Sequence, residues 1–155
     1  AKLNDGDYDA LVLARAGLVR LGLERHITQE FEPRVMLPAV GQGALAIETR
    51  GDDAATLDAL APLNDQATHR AVLAERSLLA TLNGGCLAPI GAWAQSQPDG
   101  SLRLEAAVLS VDGARRLVAT GDSAETDAIG LGADVAGKLL DAGAGRLIEE
   151  ARGGQ

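Results

Sequence analysis

The stretch "NGGCLAPIGAWA", residues 83–94, marks the point where the hydrophobic period of the chain changes, and its reading decides the fold. Ahead of it, Ala67, Ala71, Ala74, Leu78 and Leu82 recur at helical spacing, and Val72 and Leu79 widen the stripe. Asn64 or Asp65 stands where an N-cap belongs, so one long helix is expected from there to about Leu82. His69, Arg70, Glu75 and Arg76 fall mostly off its apolar stripe. Gly84 and Gly85 are expected to end the helix, since a left-handed residue after the last turn favours glycine. Beyond the stretch the period is two. "IGAWAQSQ", "LRLEAAVLSVDG" and "RLVATGDS" read as three strands joined by the turn signals "PDG" and "DGAR".

A second amphipathic helix is expected from about Asp127 to Ala142, carrying Ile129, Val135, Leu139 and Leu140. Gly143 to Gly145 break it, and a short last helix follows over Arg146–Ala151. Helix, three antiparallel strands and helices together make a compact α+β domain over residues 66–155.

Upstream, the pattern is of another kind. "DALVLA", residues 9–14, reads as a short buried strand after the turn signal "NDGD", and it feeds a helix over Ala16–Leu23. Val35–Leu37 and Ala44–Thr49 read as further strands, and Ala54–Ala61 as a short helix stopped by Pro62. Strand followed directly by helix points to an α/β layer, and a strand apolar on both faces needs neighbours that residues 1–65 do not obviously supply. With no leading methionine, the expectation is the C-terminal part of a longer protein, with sheet partners upstream. "VGQGAL", residues 40–45, sets Gln42 between two glycines in a tight backbone passage. It lacks the third glycine of a dinucleotide fingerprint and the lysine and hydroxyl of a P-loop.

Composition bounds the function. A net charge of −8 argues against nucleic acid or an anionic membrane as the main partner, because phosphate binding needs clustered Lys and Arg. Aromatic residues are only 2%, so the core must be built from Leu, Val, Ala and Ile. No apolar run is long enough for a membrane helix, and no export signal is evident. A cytoplasmic protein is expected.

Cys86 is the one cysteine, which excludes an internal disulfide and is too few sulfurs for a protein-only zinc site; no metal is expected. Three roles remain open for it. It can be a small buried hydrophobe, as free cysteines commonly are. It can be a catalytic thiolate, although the preceding helix presents its C-terminus, the wrong end of the dipole, and neither His26 nor His69 has an evident orienting partner. Or it can be a covalent anchor on a loop that Gly84 and Gly85 keep clear for a bulky attachment.

"NGGCLAPIGAWA", with the upstream "LPAVGQGALAIETR" and "YDALVLARAGLVRLGLE", resembles the C-terminal half of the porphobilinogen deaminase (hydroxymethylbilane synthase) family, in order and over essentially the whole chain. The resemblance implies the end of a periplasmic-binding-protein-like α/β domain pair followed by the small α+β domain. Residues 1–37 would be the C-terminal part of domain 2, 38–65 the return segment of domain 1, and 66–155 the cofactor-attachment domain 3. It implies a transferase of tetrapyrrole (haem) biosynthesis that joins four porphobilinogen molecules head to tail on a dipyrromethane primer, releasing hydroxymethylbilane and ammonia. Cys86 would hold that cofactor as a thioether, with Gly84 and Gly85 beside it. Arg20 matches an arginine that meets substrate carboxylates, Gln42 a cleft residue near the substrate pyrrole, and Leu13 and Ala14 the strand end lining the same pocket.

The resemblance assigns no role to Arg15 and places the catalytic aspartate, with most substrate-binding arginines, in an N-terminal half that would be this chain's main protein partner. Neither Asp7 nor Asp9 sits in that aspartate's motif, so no catalytic residue is expected here and the chain alone is expected to be inactive. Two other classes compete: a stand-alone α+β ligand-binding or regulatory module, which predicts an unmodified Cys86 and a closed structure within 1–65, and a thiol-dependent hydrolase or transferase, which predicts a histidine within reach of Cys86.

Overall fold

The structure, a computed structural model, describes Leu3, residues 5–85 and residues 88–153. The chain divides into two compact units, residues 1–32 and 33–155. In the first, helix α1 spans Arg15–Arg20 and a 3-10 turn spans Glu24–His26. Ala14, in an extended conformation, opens α1, and its carbonyl accepts from the N–H groups of Gly17 and Leu18. The helix ends sooner than its apolar spacing suggests. Gly22 takes a left-handed φ of 66°, and Leu23 N–H reaches back to Leu18 O at 2.9 Å, so the chain reverses before another turn can form.

None of the three strands expected within residues 1–65 forms: Asp9–Ala14, Val35–Leu37 and Ala44–Thr49 carry no strand pairing. The reason is physical. A strand exists only through its neighbours, and the apolar side chains of these segments, Leu11, Val12, Leu13, Val35, Leu45 and Ile47, are exposed. Helix α2 (Ala54–Leu60) does form, capped by Asp53, whose carboxylate accepts from Thr56 N–H at 3.1 Å. A 3-10 turn over Ala61–Leu63 follows it and contains Pro62.

The three-stranded antiparallel sheet is present, with helices against it. Helix α3 spans Gln66–Thr81, with Asp65 as its N-cap accepting from Thr68 N–H at 2.7 Å. Strands β1 (Ile90–Ser96), β2 (Ser101–Leu109) and β3 (Arg116–Ala124) pair in that order. Alternation drives the register: Leu102, Leu104, Ala106 and Val108 of β2 point inward, and Ala92 and Ala119 flank Ala106 on either side. Asp99 and Asp112 fix the two hairpin turns by accepting from Ser101 N–H and Ala114 N–H respectively.

Helix α4 (Ala128–Asp141) and helix α5 (Ala144–Gly153) complete the layer. The inward face of α4 is Ala128, Leu131, Gly132, Val135, Ala136 and Leu139. Ile129 and Leu140, expected on that face, are exposed, because the face is set by small residues that let α4 approach α3 closely. Ala128, Leu131, Val135, Ala136 and Leu139 of α4, with Ala74, Leu78, Leu82, Leu147 and Ile148 and the inward residues of β2, form one core. Among the described residues, no helix is long and apolar enough to cross a membrane.

Candidate functional site

The end of α3 shapes the ground around the cysteine loop. Its left-handed residue is Asn83, at φ 50°, and not one of the glycines that follow. Asn83 N–H bonds to Ala80 O at 3.0 Å, and Gly84 N–H to Leu79 O at 2.9 Å, the paired bonds of a Schellman ending with asparagine in the glycine role. The guanidinium of Arg152, on α5, donates to the Asn83 carbonyl and so ties the last helix to this turn.

Gly84 serves close packing instead, against the ends of two flexible side chains. A Cβ there would lie 2.5 Å from Leu79 Cδ1 and 2.7 Å from Ile90 Cδ1, so the backbone is pressed into the seam between α3 and β1. A Cβ on Gly85 would meet nothing within 4 Å. One glycine seats the loop base; the other stands in open space. Cys86 and Leu87 lie outside the described residues.

The "VGQG" passage lies along the same seam. Leu37 and Pro38 pass so close to β1 that a Cβ on Gly91 would sit 2.9 Å from Leu37 Cβ. Pro38 O accepts from Ala92 N–H at 2.9 Å. The chain then turns, with Gln42 N–H bonded to Ala39 O and Gly41 at a left-handed φ of 74°. The Gln42 side chain is exposed.

The residue that holds this turn is Glu75, which the apolar spacing of α3 leaves off the buried face. It is buried, only 6% exposed. One carboxylate oxygen accepts from Gly41 N–H at 2.7 Å, and the other from Ala94 N–H at 3.0 Å. Burial pushes its pKa up from the ordinary glutamate value, outweighing the two N–H bonds that pull it down. A signal for it was present: Glu75 stands four residues from both Ala71 and Leu79, so helical geometry allows it to face inward. Its charge alone suggested a solvated position.

The remaining expected site residues belong to the first unit. Leu13 and Ala14 are exposed just ahead of α1, and Arg20 is exposed in its last turn. Arg15 pairs with Glu30 at 2.7 Å. The structure thus brings the Gly84 turn, the Gly41–Gly43 passage and Glu75 to one seam of the second unit, and Leu13, Ala14 and Arg20 to one short segment of the first. Among the described residues, no group of three or more His, Cys, Asp or Glu is arranged to hold a metal.

Comparison with known proteins gives two matches in series. Residues 1–58 match the family model described as porphobilinogen deaminase, dipyromethane cofactor binding domain, and residues 69–141 match porphobilinogen deaminase, C-terminal domain. The chain belongs to the porphobilinogen deaminase family. It is 48% identical to the porphobilinogen deaminase of Syntrophobacter fumaroxidans over 149 residues, which is 96% of this chain and 48% of that relative. It is 46% identical over 147 residues to that of a Roseiflexus species, covering 95% of this chain and 48% of the relative. The Nocardia farcinica protein of the same name is 46% identical over 158 residues, covering 97% of this chain and 46% of the relative. The chain therefore spans about half the length of the curated relatives it matches. Cys86 falls within the segment matched by the C-terminal domain of this deaminase family, and Arg20 and Gln42 within the cofactor-binding one.

Proposed function

We propose that the chain is the C-terminal portion of a cytoplasmic porphobilinogen deaminase, and that Cys86 is the thioether anchor of its dipyrromethane primer. The observation that carries this reading is the uninterrupted order of family matches across 1–58 and 69–141. In this reading the upstream half of the enzyme completes the α/β domain pair of periplasmic-binding-protein type, to which residues 1–37 and 38–65 contribute. It also brings the catalytic aspartate. The exposed apolar segments around Leu11–Leu13 and Leu45–Ile47 support this, since they are sequences suited to a sheet and have no strand partners among the described residues.

The residues present fit the cofactor. A ring system attached next to Gly84–Gly85 needs clearance on one side and a fixed base on the other, and the open surroundings of Gly85 and the packed seat of Gly84 supply both. When bound, the dipyrromethane supplies the end onto which substrate rings are added. The chain's own residues bind and orient. Arg20 meets the acetate and propionate carboxylates of porphobilinogen and of the growing oligomer, because a guanidinium pairs with a carboxylate through two parallel N–H bonds. Gln42, exposed on a glycine-flanked turn, offers an amide that donates and accepts at the substrate pyrrole. Leu13 and Ala14 offer backbone groups to the substrate. A tether replaces repeated capture of the primer from solution, an advantage worth roughly 7–11 kcal/mol in well-oriented intramolecular reactions. No activated thiolate is required during turnover, so the absence of a histidine motif around Cys86 is no obstacle.

Tryptic mass mapping of active full-length enzyme tests the anchor. The Cys86 peptide is expected to carry the two-ring adduct, and Cys86→Ser is expected to abolish nearly all tetrapyrrole assembly while circular dichroism stays native. An unmodified Cys86 peptide in the fully active fraction would end the anchor reading of Cys86.

A further inference from the structure

Three features of the second unit stand outside the reading above: the shallow cleft lined by Gly121, Asp122, Asp134 and Lys138, the free edge of β3, and the buried carboxylate of Glu75. Only the last makes contacts that join two parts of the proposed site. Its two oxygens take N–H groups from separate stretches of chain, Gly41 in the "VGQG" turn and Ala94 in β1. The outer edge of β1 is thus closed in sequence. Ala92 N–H goes to Pro38 O, and Ala94 N–H goes to Glu75 because the chain has turned away by Gly41. A backbone partner continues the edge for one bond and a side chain replaces it at the next.

We propose that Glu75 is a positioning residue for Gln42: its carboxylate bridges Gly41 and Ala94 and so fixes the glycine-flanked turn against the sheet that follows the cysteine loop. The inference rests on the role proposed for Gln42. Three observations make the bridge more than a packing accident. Gly41 is in the left-handed region, where its N–H is aimed by a backbone conformation that other residues adopt poorly. The carboxylate accepts one N–H on each oxygen, so a neutral amide in its place keeps one bond and sets an NH2 group against the other donor. Burial opposes keeping a charge at this position, and the two N–H donors offset part of that cost, so the group is held by both bonds together. Leu79, one turn on from Glu75, packs against Gly84, so the same helix α3 supports both the turn that carries Gln42 and the base of the cysteine loop.

The test uses full-length enzyme carrying Gln42→Ala, Glu75→Gln, and both together, with hydrogen exchange of the peptide covering residues 39–44 as an independent readout. Glu75→Gln is expected to lower kcat/KM about tenfold, as loss of one charge-assisted bond implies. Added to Gln42→Ala, it should lower activity little further, because the positioned group is already gone. Exchange over 39–44 should quicken selectively, with the protection of β2 and α4 unchanged. Multiplicative losses in the double variant, or a uniform loss of protection, would overturn the proposal and make Glu75 an ordinary structural residue. If Gln42→Ala alone leaves kcat/KM intact, the role of Gln42 fails. The bridge itself is then judged on exchange: unchanged protection over 39–44 in Glu75→Gln overturns it. Should Glu75→Gln not fold, Glu75→Asp, one methylene too short to span both donors, is read by the same two measurements.

Discussion

Residues 66–153 and residues 1–65 are equally rich in Leu, Val and Ala, yet one stretch closes a core and the other leaves its apolar side chains in water. Leu78, Leu104 and Val108 are fully buried, whereas Leu45 is 94% exposed. Hydrophobicity is therefore not what separates them. The strands of the later stretch come as hairpin neighbours, β1 to β2 to β3, so each finds its partner within a few residues and the sheet pairs as soon as the turns form. The earlier segments have the pattern of strands in a parallel sheet, which must wait for partners brought by long crossovers. Among the described residues of 1–65 no such partner is paired with them.

The sharpest way to break this comparison is to truncate one leucine in each region. Leu78→Ala in the chain is expected to cost about 2–5 kcal/mol, because it opens a cavity in a core with no means of refilling it. Leu45→Ala should change stability by less than about 0.5 kcal/mol in the chain alone. In the full-length enzyme the same Leu45→Ala is expected to rise toward the core value, since its partners are then present. Urea unfolding of both proteins measures all three numbers. A Leu45→Ala cost that stays small in the full-length enzyme would mean that the segment is surface there too.

A smaller effect sharpens the functional side of the comparison. Arg20, exposed in the first unit, is proposed to be buried against substrate carboxylates in the working enzyme. In full-length enzyme Arg20→Leu is expected to lower kcat/KM by about ten- to a hundredfold, the loss of a charge-assisted bond of roughly 1.5–3 kcal/mol. Arg20→Lys should recover part of this, since an ammonium cannot form the paired fork. Steady-state kinetics with porphobilinogen decides it, and unchanged constants in the leucine variant return Arg20 to the solvated surface.

These contrasts also mark what the sequence makes legible. The long helix, its cap to within Asn64 or Asp65, all three hairpin strands and both following helices can be read, because each rests on local periodicity and a turn signal of fixed chemistry. The strand patterns at Asp9–Ala14 and Ala44–Thr49 are equally plain, but pairing is a non-local property, and among the described residues neither segment finds a strand partner. The ending of α3 falls one residue before the glycines for a local reason: asparagine tolerates the left-handed region, so Asn83 takes the position and Gly84 serves close packing. At the candidate site, Cys86, Gln42 and Arg20 are visible as family motifs. Glu75 is not, since a glutamate on a helix reads as solvated until the N–H groups of Gly41 and Ala94, distant in sequence, are brought to it.

The least of the expected effects sets two carboxylates of one helix against each other. Asp65 caps the start of α3, and its bond from Thr68 N–H holds its pKa below the usual aspartate value of 3.8. Glu75 lies in the middle, and burial lifts its pKa above the usual glutamate value of 4.5. The signs are opposite. For Asp65, the native state binds the proton more weakly than the unfolded chain, so its contribution is full above 3.8 and is lost as pH falls through the lowered value. For Glu75, the native state binds the proton more tightly, so stability declines as pH rises from 4.5 through the raised value, where the buried group must ionise. Urea midpoints across the acid range separate the two. Asp65→Asn should flatten the profile only on its most acidic limb, and Glu75→Gln only on the limb above 4.5. A Glu75→Gln profile that parallels the parent above that value would mean that the carboxylate titrates as though exposed, and that the bridge between Gly41 and Ala94 is open in solution.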